Sequence, residues 1–169
     1  MNTINCSCGK PDNCGCCGCC KSCQFNPCAV TCAPVCELGA DYAYIYNTAA
    51  QTVASESEVT FSGNGLLSGT ITHTAGTAEI VIGKTGVYLV NTFLASNAAA
   101  QFTVYRNGTA VEGSTYASDT AFDGNVIISA QMGDVLTVVN TGTAEMTLEA
   151  EGTAPEAVVN GAVTITRLF

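Results

Sequence analysis

The chain has 169 residues, with 14 acidic against 5 basic side chains and a formal net charge of −9. That balance excludes nucleic acid and anionic membrane surfaces as partners, because both need clustered Lys or Arg to neutralise phosphate. No stretch approaches the ~18 apolar residues that a membrane-spanning helix needs, and "MNTINCSCGK" has neither the basic start nor the apolar run of a secretory signal.

All eleven cysteines lie near the start: Cys6, Cys8, Cys14, Cys16, Cys17, Cys19, Cys20, Cys23, Cys28, Cys32 and Cys36. Ile4, Phe25, Val30 and Val35 are almost the whole apolar supply there, so residues 1–40 read as an irregular cysteine-rich head and linker, ordered by sulfur chemistry rather than by a core. Asn26 and Pro27 offer the cap and first position of one helical turn, which would set Cys28 and Cys32 on the same side before Pro34 ends it. Lys10 and Lys21 against Asp12 leave the head at +1, so the rest of the chain carries −10.

An odd cysteine count leaves at least one thiol without a partner in its own chain. Neighbours such as Cys16-Cys17 and Cys19-Cys20 do not readily bond to each other, since adjacent Cα atoms sit about 3.8 Å apart and disulfides usually want about 4.4–6.8 Å. Each must look outward, and all eleven are candidates for disulfide crosslinking between chains. The rival reading is metal: thiolates this dense suit zinc or copper(I). A tetrahedral zinc site, however, commonly pairs two knuckles, and Cys20-Lys-Ser-Cys23 offers only one. That Cys-x-x-Cys follows no βαβ pattern, so an oxidoreductase reading is weak. No cofactor or resident metal is expected.

From residue 41 onward the signal is β. "DYAYIYN" puts Tyr42, Tyr44 and Tyr46 on one face and Ala43 and Ile45 on the other. "SEVTFSG", "GTITHT", "AEIVIGK", "GVYLVNTFLAS", "AQFTVYRNG", "NVIISAQ", "DVLTVVNTG", "EMTLEAEG" and "AVTITRLF" follow, punctuated by turn residues at the spacing of a sandwich or barrel. Asn107-Gly108 predicts a type I′ hairpin turn. "NTAAQTVAS" and "SNAAAQ" are Ala-rich but too short for stable helices. "GVYLVNTFLAS" and "DVLTVVN" are apolar on both faces, which predicts a packed sheet on one side and, on the other, a covering loop or, the favoured reading, a second copy of the chain.

Catalytic signals are absent from the pattern. His73, the only histidine, sits between threonines with no thiol near it, and predicts a structural role at the surface or lining an oligomer contact. Asp119 and Asp123 read as solvated turn acids rather than calcium ligands. The chain is not expected to be an enzyme.

The stretches "DYAYIYNTAAQTVASESEVTFSGNGLLSGTITHT", "TGVYLVNTFLAS", "FTVYRNGTAVEGSTY", "QMGDVLTVVNTG" and "AVTITRLF" resemble, in this order, the C-terminal domain of the collagen-like exosporium glycoproteins of bacterial spores. The resemblance covers residues 41–169. It implies an all-β fold: a two-sheet antiparallel jelly roll of the tumour necrosis factor-like type, shared with the complement globular heads, assembling as a homotrimer. Relatives carry a Gly-X-Y stalk before this domain. Here the glycines of "CGCCGCC" recur only briefly, too few for a collagen helix.

The resulting expectation is a structural protein of the spore surface, in the exosporium or an appendage. It would be made in the mother cell without a signal peptide, trimerise by residues 41–169 and be crosslinked through the head to itself, as a filament or lattice, or to other spore coat or exosporium proteins. A cysteine-rich metal-binding protein and a trimeric adhesin are the alternatives.

Overall fold

A computed structural model describes residues 41–96, 98–150 and 156–169. The eleven cysteines and the turn expected at Asn26 and Pro27 lie outside the described residues. The chain divides after Gly39, and the second unit, Ala40–Phe169, holds every described residue.

Twelve strands and no helix are found among the described residues, all of them in the second unit. They are β1 Tyr42–Asn47, β2 Gln51–Val53, β3 Gly63–Ser68, β4 Thr72–His73, β5 Ile80–Val81 and β6 Gly86–Ala95. The remainder are β7 Ala100–Arg106, β8 Thr109–Ser118, β9 Ala121–Ala130, β10 Val135–Asn140, β11 Met146–Leu148 and β12 Gly161–Arg167. One antiparallel sheet runs β3-β1-β12-β6-β9, a second β4-β5-β10-β7-β8, and β2 pairs with β11.

The alternation read from the sequence decides which side chains meet. Ala43 and Ile45 of β1, Tyr88, Val90 and Leu94 of β6, and Val163 and Ile165 of β12 point into the core. They face Phe102 and Val104 of β7 and Leu136 and Val138 of β10. Phe102 packs edge-on against Phe122 at a centroid distance of 5.3 Å, a geometry that aligns ring edge with ring face.

Both open edges of the sandwich are tied. At one, β3 of the first sheet meets β4 of the second: a nitrogen of the His73 ring lies 2.6 Å from Asn64 Oδ1, and the Asn64 amide donates to the His73 carbonyl at 3.0 Å. At the other edge the Tyr116 hydroxyl of β8 donates to the Asn125 carbonyl of β9. Gly124 makes that reach possible, since a Cβ there would come within 2.4 Å of the Tyr116 ring.

Three departures from the sequence pattern have physical causes. "SEVTFSG" does not form a regular strand; it makes isolated bridges, Glu58 to Val139 and Phe61 to Thr77, and its buried Val59 and Phe61 account for the apolar signal. Within "NTAAQTVAS", Gln51–Val53 is strand β2, held by the partner strand β11. The glycine-rich β3 gives little strand signal by itself, yet Gly63 and Gly65 lie directly beneath the rings of Tyr46 and Tyr44.

Asn107 and Gly108 have φ of 51° and 73°, the pair of positive values that a type I′ turn demands, and Arg106 pairs with Thr109 across it.

Candidate self-association face

The outward side of the first sheet carries an ordered set of rows. Strand register places Tyr46, Ala162, Phe93 and Asp123 side by side, then Tyr44, Thr164, Asn91 and Asn125, then Tyr42, Thr166, Leu89 and Ile127. Val87 and Ser129 continue the pattern. Tyr44 and Tyr46 stack with centroids 5.7 Å apart, and they can lie flat on the edge strand because β3 offers hydrogen rather than side chain at Gly63 and Gly65.

Two properties make this face a candidate for association. Its large side chains are left to solvent: Ile127 is 64% and Leu66 67% exposed, whereas monomer surfaces seldom gather such groups. It is also nearly uncharged at neutral pH, with Asp123 the one carboxylate in these rows, on a chain of net charge −9. Two acidic bodies repel least where their contacting surfaces carry no charge. A hollow of about 150 Å³ opens between Asn91, Phe93, Asp123 and Thr164, so the face is stepped rather than flat.

The two strands expected to be apolar on both sides behave differently. Along β6 the outward Val87, Leu89 and Phe93 are only half-buried, leaving apolar surface to cover. Along β10 the outward Thr137 and Val139 are buried within the single chain, at 6% and 5% exposure. Beside them Thr103 Oγ1 lies 2.9 Å from the hydroxyls of both Thr115 and Thr141. The inference of a second copy therefore applies to β6 and not to β10.

His73 is not at the surface, as one sequence expectation had it, and is not on this face. It is buried, with its second ring nitrogen 3.1 Å from the Thr77 carbonyl and Phe61 edge-on at 6.2 Å. The sequence shows its threonine neighbours but not Asn64, whose partnership depends on the two sheets meeting. Asp119 and Asp123 are exposed, and among the described residues no group of three or more potential metal ligands occurs.

The end of the body where β1 begins holds a buried ion pair. Asp41 Oδ1 accepts from the Thr70 amide at 2.7 Å and from its hydroxyl at 3.1 Å. Oδ2 faces Arg167 at 3.9 Å, and Arg167 also donates to Thr85 O at 3.2 Å. Burial, helped by the Asp41 charge and opposed by Arg167, pushes the Tyr88 phenol up from its ordinary value.

No protein-family model matches the sequence, and no match to a curated protein was found. Solved structures do match. The Eiger TNF of S. frugiperda superposes with a TM-score of 0.56 at 15% identity, covering 78% of this chain and 94% of that one. The globular domain of zebrafish complement 1qA gives 0.55 at 11% identity, covering 76% and 96%. Murine APRIL gives 0.55 at 14%, covering 76% and 99%. The body is a TNF-like jelly roll. At these identities the similarity fixes the fold, and the fold alone does not specify function.

Proposed function

We propose that this chain is a structural protein of the bacterial spore surface, a homotrimer built on the charge-poor face of the β3-β1-β12-β6-β9 sheet and joined covalently through the cysteines of residues 6–36. The observation that carries the reading is that face: aromatic and aliphatic rows in strict register, half-exposed, on an otherwise acidic body. The TNF-like fold is consistent with a trimerising module. The spore setting is supported by the sequence resemblance, and the crosslinking role by an odd, dense set of thiols confined in the sequence to residues 6–36.

In this reading the fold supplies a non-covalent unit of three copies. Their heads then present 33 thiols, enough to bond within the unit and to neighbouring assemblies. An interchain disulfide is a covalent bond that opens by thiol exchange or reduction, so chains joined this way resist separation by heat alone.

The test is sedimentation of the full chain with reductant, followed by boiled gels without it. The expected result is a three-chain species in reductant that falls to one chain in Leu89→Glu, and boil-resistant multimers that collapse only when reduced. A single-chain species at micromolar concentration defeats the trimer. Free thiols and 17.3 kDa bands without reductant defeat the crosslinking.

A further inference from the structure

The two outer faces of the sandwich treat their polar side chains differently. On the β4-β5-β10-β7-β8 sheet they bond to one another within the chain: Thr103 Oγ1 lies 2.9 Å from the hydroxyls of Thr115 and Thr141, and the Gln101 amide donates to Thr141 Oγ1 at 3.1 Å. On the β3-β1-β12-β6-β9 sheet the row Tyr44, Thr164, Asn91 and Asn125 crosses four strands in register. Among the described residues, none of the four side-chain polar groups in this row has a hydrogen-bond partner. Asn91 and Asn125 are exposed and stand directly opposite each other. The Asn125 carbonyl is taken by Tyr116 from the β8 side, so the two form the closely spaced kind of antiparallel pair, yet their amides do not bond each other.

The row lies in the middle of the association face, between apolar neighbours. Two residues along the strands in one direction stand Leu89 and Ile127, and two in the other stand Phe93 and Ala162. Apolar contact is non-directional, so these side chains alone would hold a second copy in several registers. An amide is directional. Covered by a neighbour's apolar side chains it gives up water for nothing, and a buried donor or acceptor left unpaired costs more than a made hydrogen bond returns. Rows are about 7 Å apart, two residues of strand rise, and a slip of one row would face the amides with apolar groups.

We infer that this row is the register device of the association face: Asn91 and Asn125 of one copy hydrogen-bond to the polar row of the next. They thereby fix how the copies are turned against one another, and so how many close a unit. The occupant is a second copy. An amide carries both donor and acceptor, as do the Thr164 and Tyr44 hydroxyls, so the row is its own complement. A charged foreign partner finds little hold, since these rows contain one carboxylate, Asp123, and no Lys or Arg. The hollow of about 150 Å³ beside Asn91, Asn125 and Thr164 gives a neighbour's side chain room to reach them. A buried asparagine sets register and oligomer order in coiled coils by the same logic, at a cost in stability. The inference rests on the reading of this face as the self-association face, and assigns its stoichiometry to particular side chains.

The experiment uses the full chain with reductant and chelator, so that neither disulfides nor metal joins copies. Sedimentation and native mass spectrometry read the species present and the number of chains in each. Asn91→Leu with Asn125→Leu replaces two exposed amides by apolar groups of similar size. This double variant is expected to associate at concentrations no higher than wild type needs, but to spread over two or more stoichiometries where wild type gives one. Asn91→Asp keeps the shape while adding charge and removing the donor, and is expected to raise the concentration needed for association at neutral pH by about tenfold or more. Should the leucines lower solubility, Asn91→Ala with Asn125→Ala removes the amides without adding apolar bulk, with the same spread expected. A double variant that forms only the wild-type unit overturns the proposal, and so does Asn91→Asp associating as wild type does. A folded double variant that stays single-chain overturns it too, since the amides would then supply affinity rather than register. A wild-type chain that is itself single at micromolar concentration overturns the association face, and shows this before any substitution is made.

Discussion

The side-chain amide of Asn107 donates to Asp134 Oδ1 at 2.8 Å, while its carbonyl oxygen accepts the Val135 amide at 2.8 Å. One residue thus serves two loops. Its positive φ of 51° builds the β7–β8 hairpin turn, and its side chain fastens that turn to the one between β9 and β10. Gly tolerates the backbone but has no amide, so Asn107→Gly separates the roles. We expect Asn107→Gly to cost about 1–2 kcal/mol from two lost hydrogen bonds, and Asn107→Ala to cost about 1 kcal/mol more through left-handed strain. Denaturant melts of the reduced chain measure both, and equal losses in the two variants would contradict the division.

Asp134 gives that junction a pH dependence. Its carboxylate accepts from the Gln131 amide at 2.9 Å and from Asn107, with Arg106 at 3.9 Å. The Gln131 amide, then Asn107, then the Arg106 charge hold its carboxyl below the ordinary aspartate value. A group depressed in the folded state stabilises above its unfolded pKa, and that stability is lost as pH falls from about 4 through the folded value. Asp134→Asn should therefore be less stable than wild type at pH 7, with the gap narrowing as pH falls below about 4. A gap that stays constant across that range would show that the carboxylate charge contributes nothing.

How much of the fold is legible in the sequence differs between the faces of one strand. In "DYAYIYN" the period of two sorts Ala43 and Ile45 inward and the tyrosines outward, and the fold obeys it. The turn at Asn107-Gly108 is equally plain, because its signal is local. What the sequence conceals is contact between separate elements: Asn64 to His73, Gly124 beneath Tyr116, Asn107 to Asp134. Such pairs lie 8 to 27 positions apart, and neither partner carries a mark of the other. The outward rows of the first sheet fall between these cases. Each strand shows its own apolar positions, but only the register aligns Leu89 with Ile127 and Phe93 with Ala162. The β10 strand misleads for the opposite reason, since its outward Thr137 and Val139 resemble an interface and are buried by their own chain.

Tyr88 provides an alkaline counterpart. The ring is fully buried and its hydroxyl donates to the Lys84 carbonyl at 2.5 Å, an arrangement that phenolate cannot keep. Burial first, then the Asp41 charge, raise its pKa, with Arg167 acting against them. A raised group contributes stability that is complete below its unfolded pKa of about 10 and is lost as pH rises through the folded value. The difference in absorbance at 295 nm between wild type and Tyr88→Phe should therefore appear only above about pH 10. If that difference rises below pH 10, the ring is not shielded as the structure shows.

The sharpest steric prediction concerns the Asp41 carboxylate and Gly69. Gly69 has φ of +79°, and a Cβ there would lie 1.9 Å from Asp41 Oδ1 and 2.9 Å from the Asp41 Cα. Any side chain must either displace the carboxylate, which then loses both Thr70 hydrogen bonds and its place beside Arg167, or shift the start of β1. Gly69→Ala should cost about 2–4 kcal/mol, combining left-handed strain with loss of a buried polar network. Asp41→Ala is also costly, because it strands the largely buried Arg167 guanidinium without a counter-charge. Together the two should cost less than their sum, as the alanine methyl occupies space that the carboxylate no longer needs. The backbone strain remains, so the double variant stays below Asp41→Ala in stability. A strictly additive cycle would mean that the strand start moves away freely, and that the Asp41–Arg167 pair does not fix where the chain enters the jelly roll.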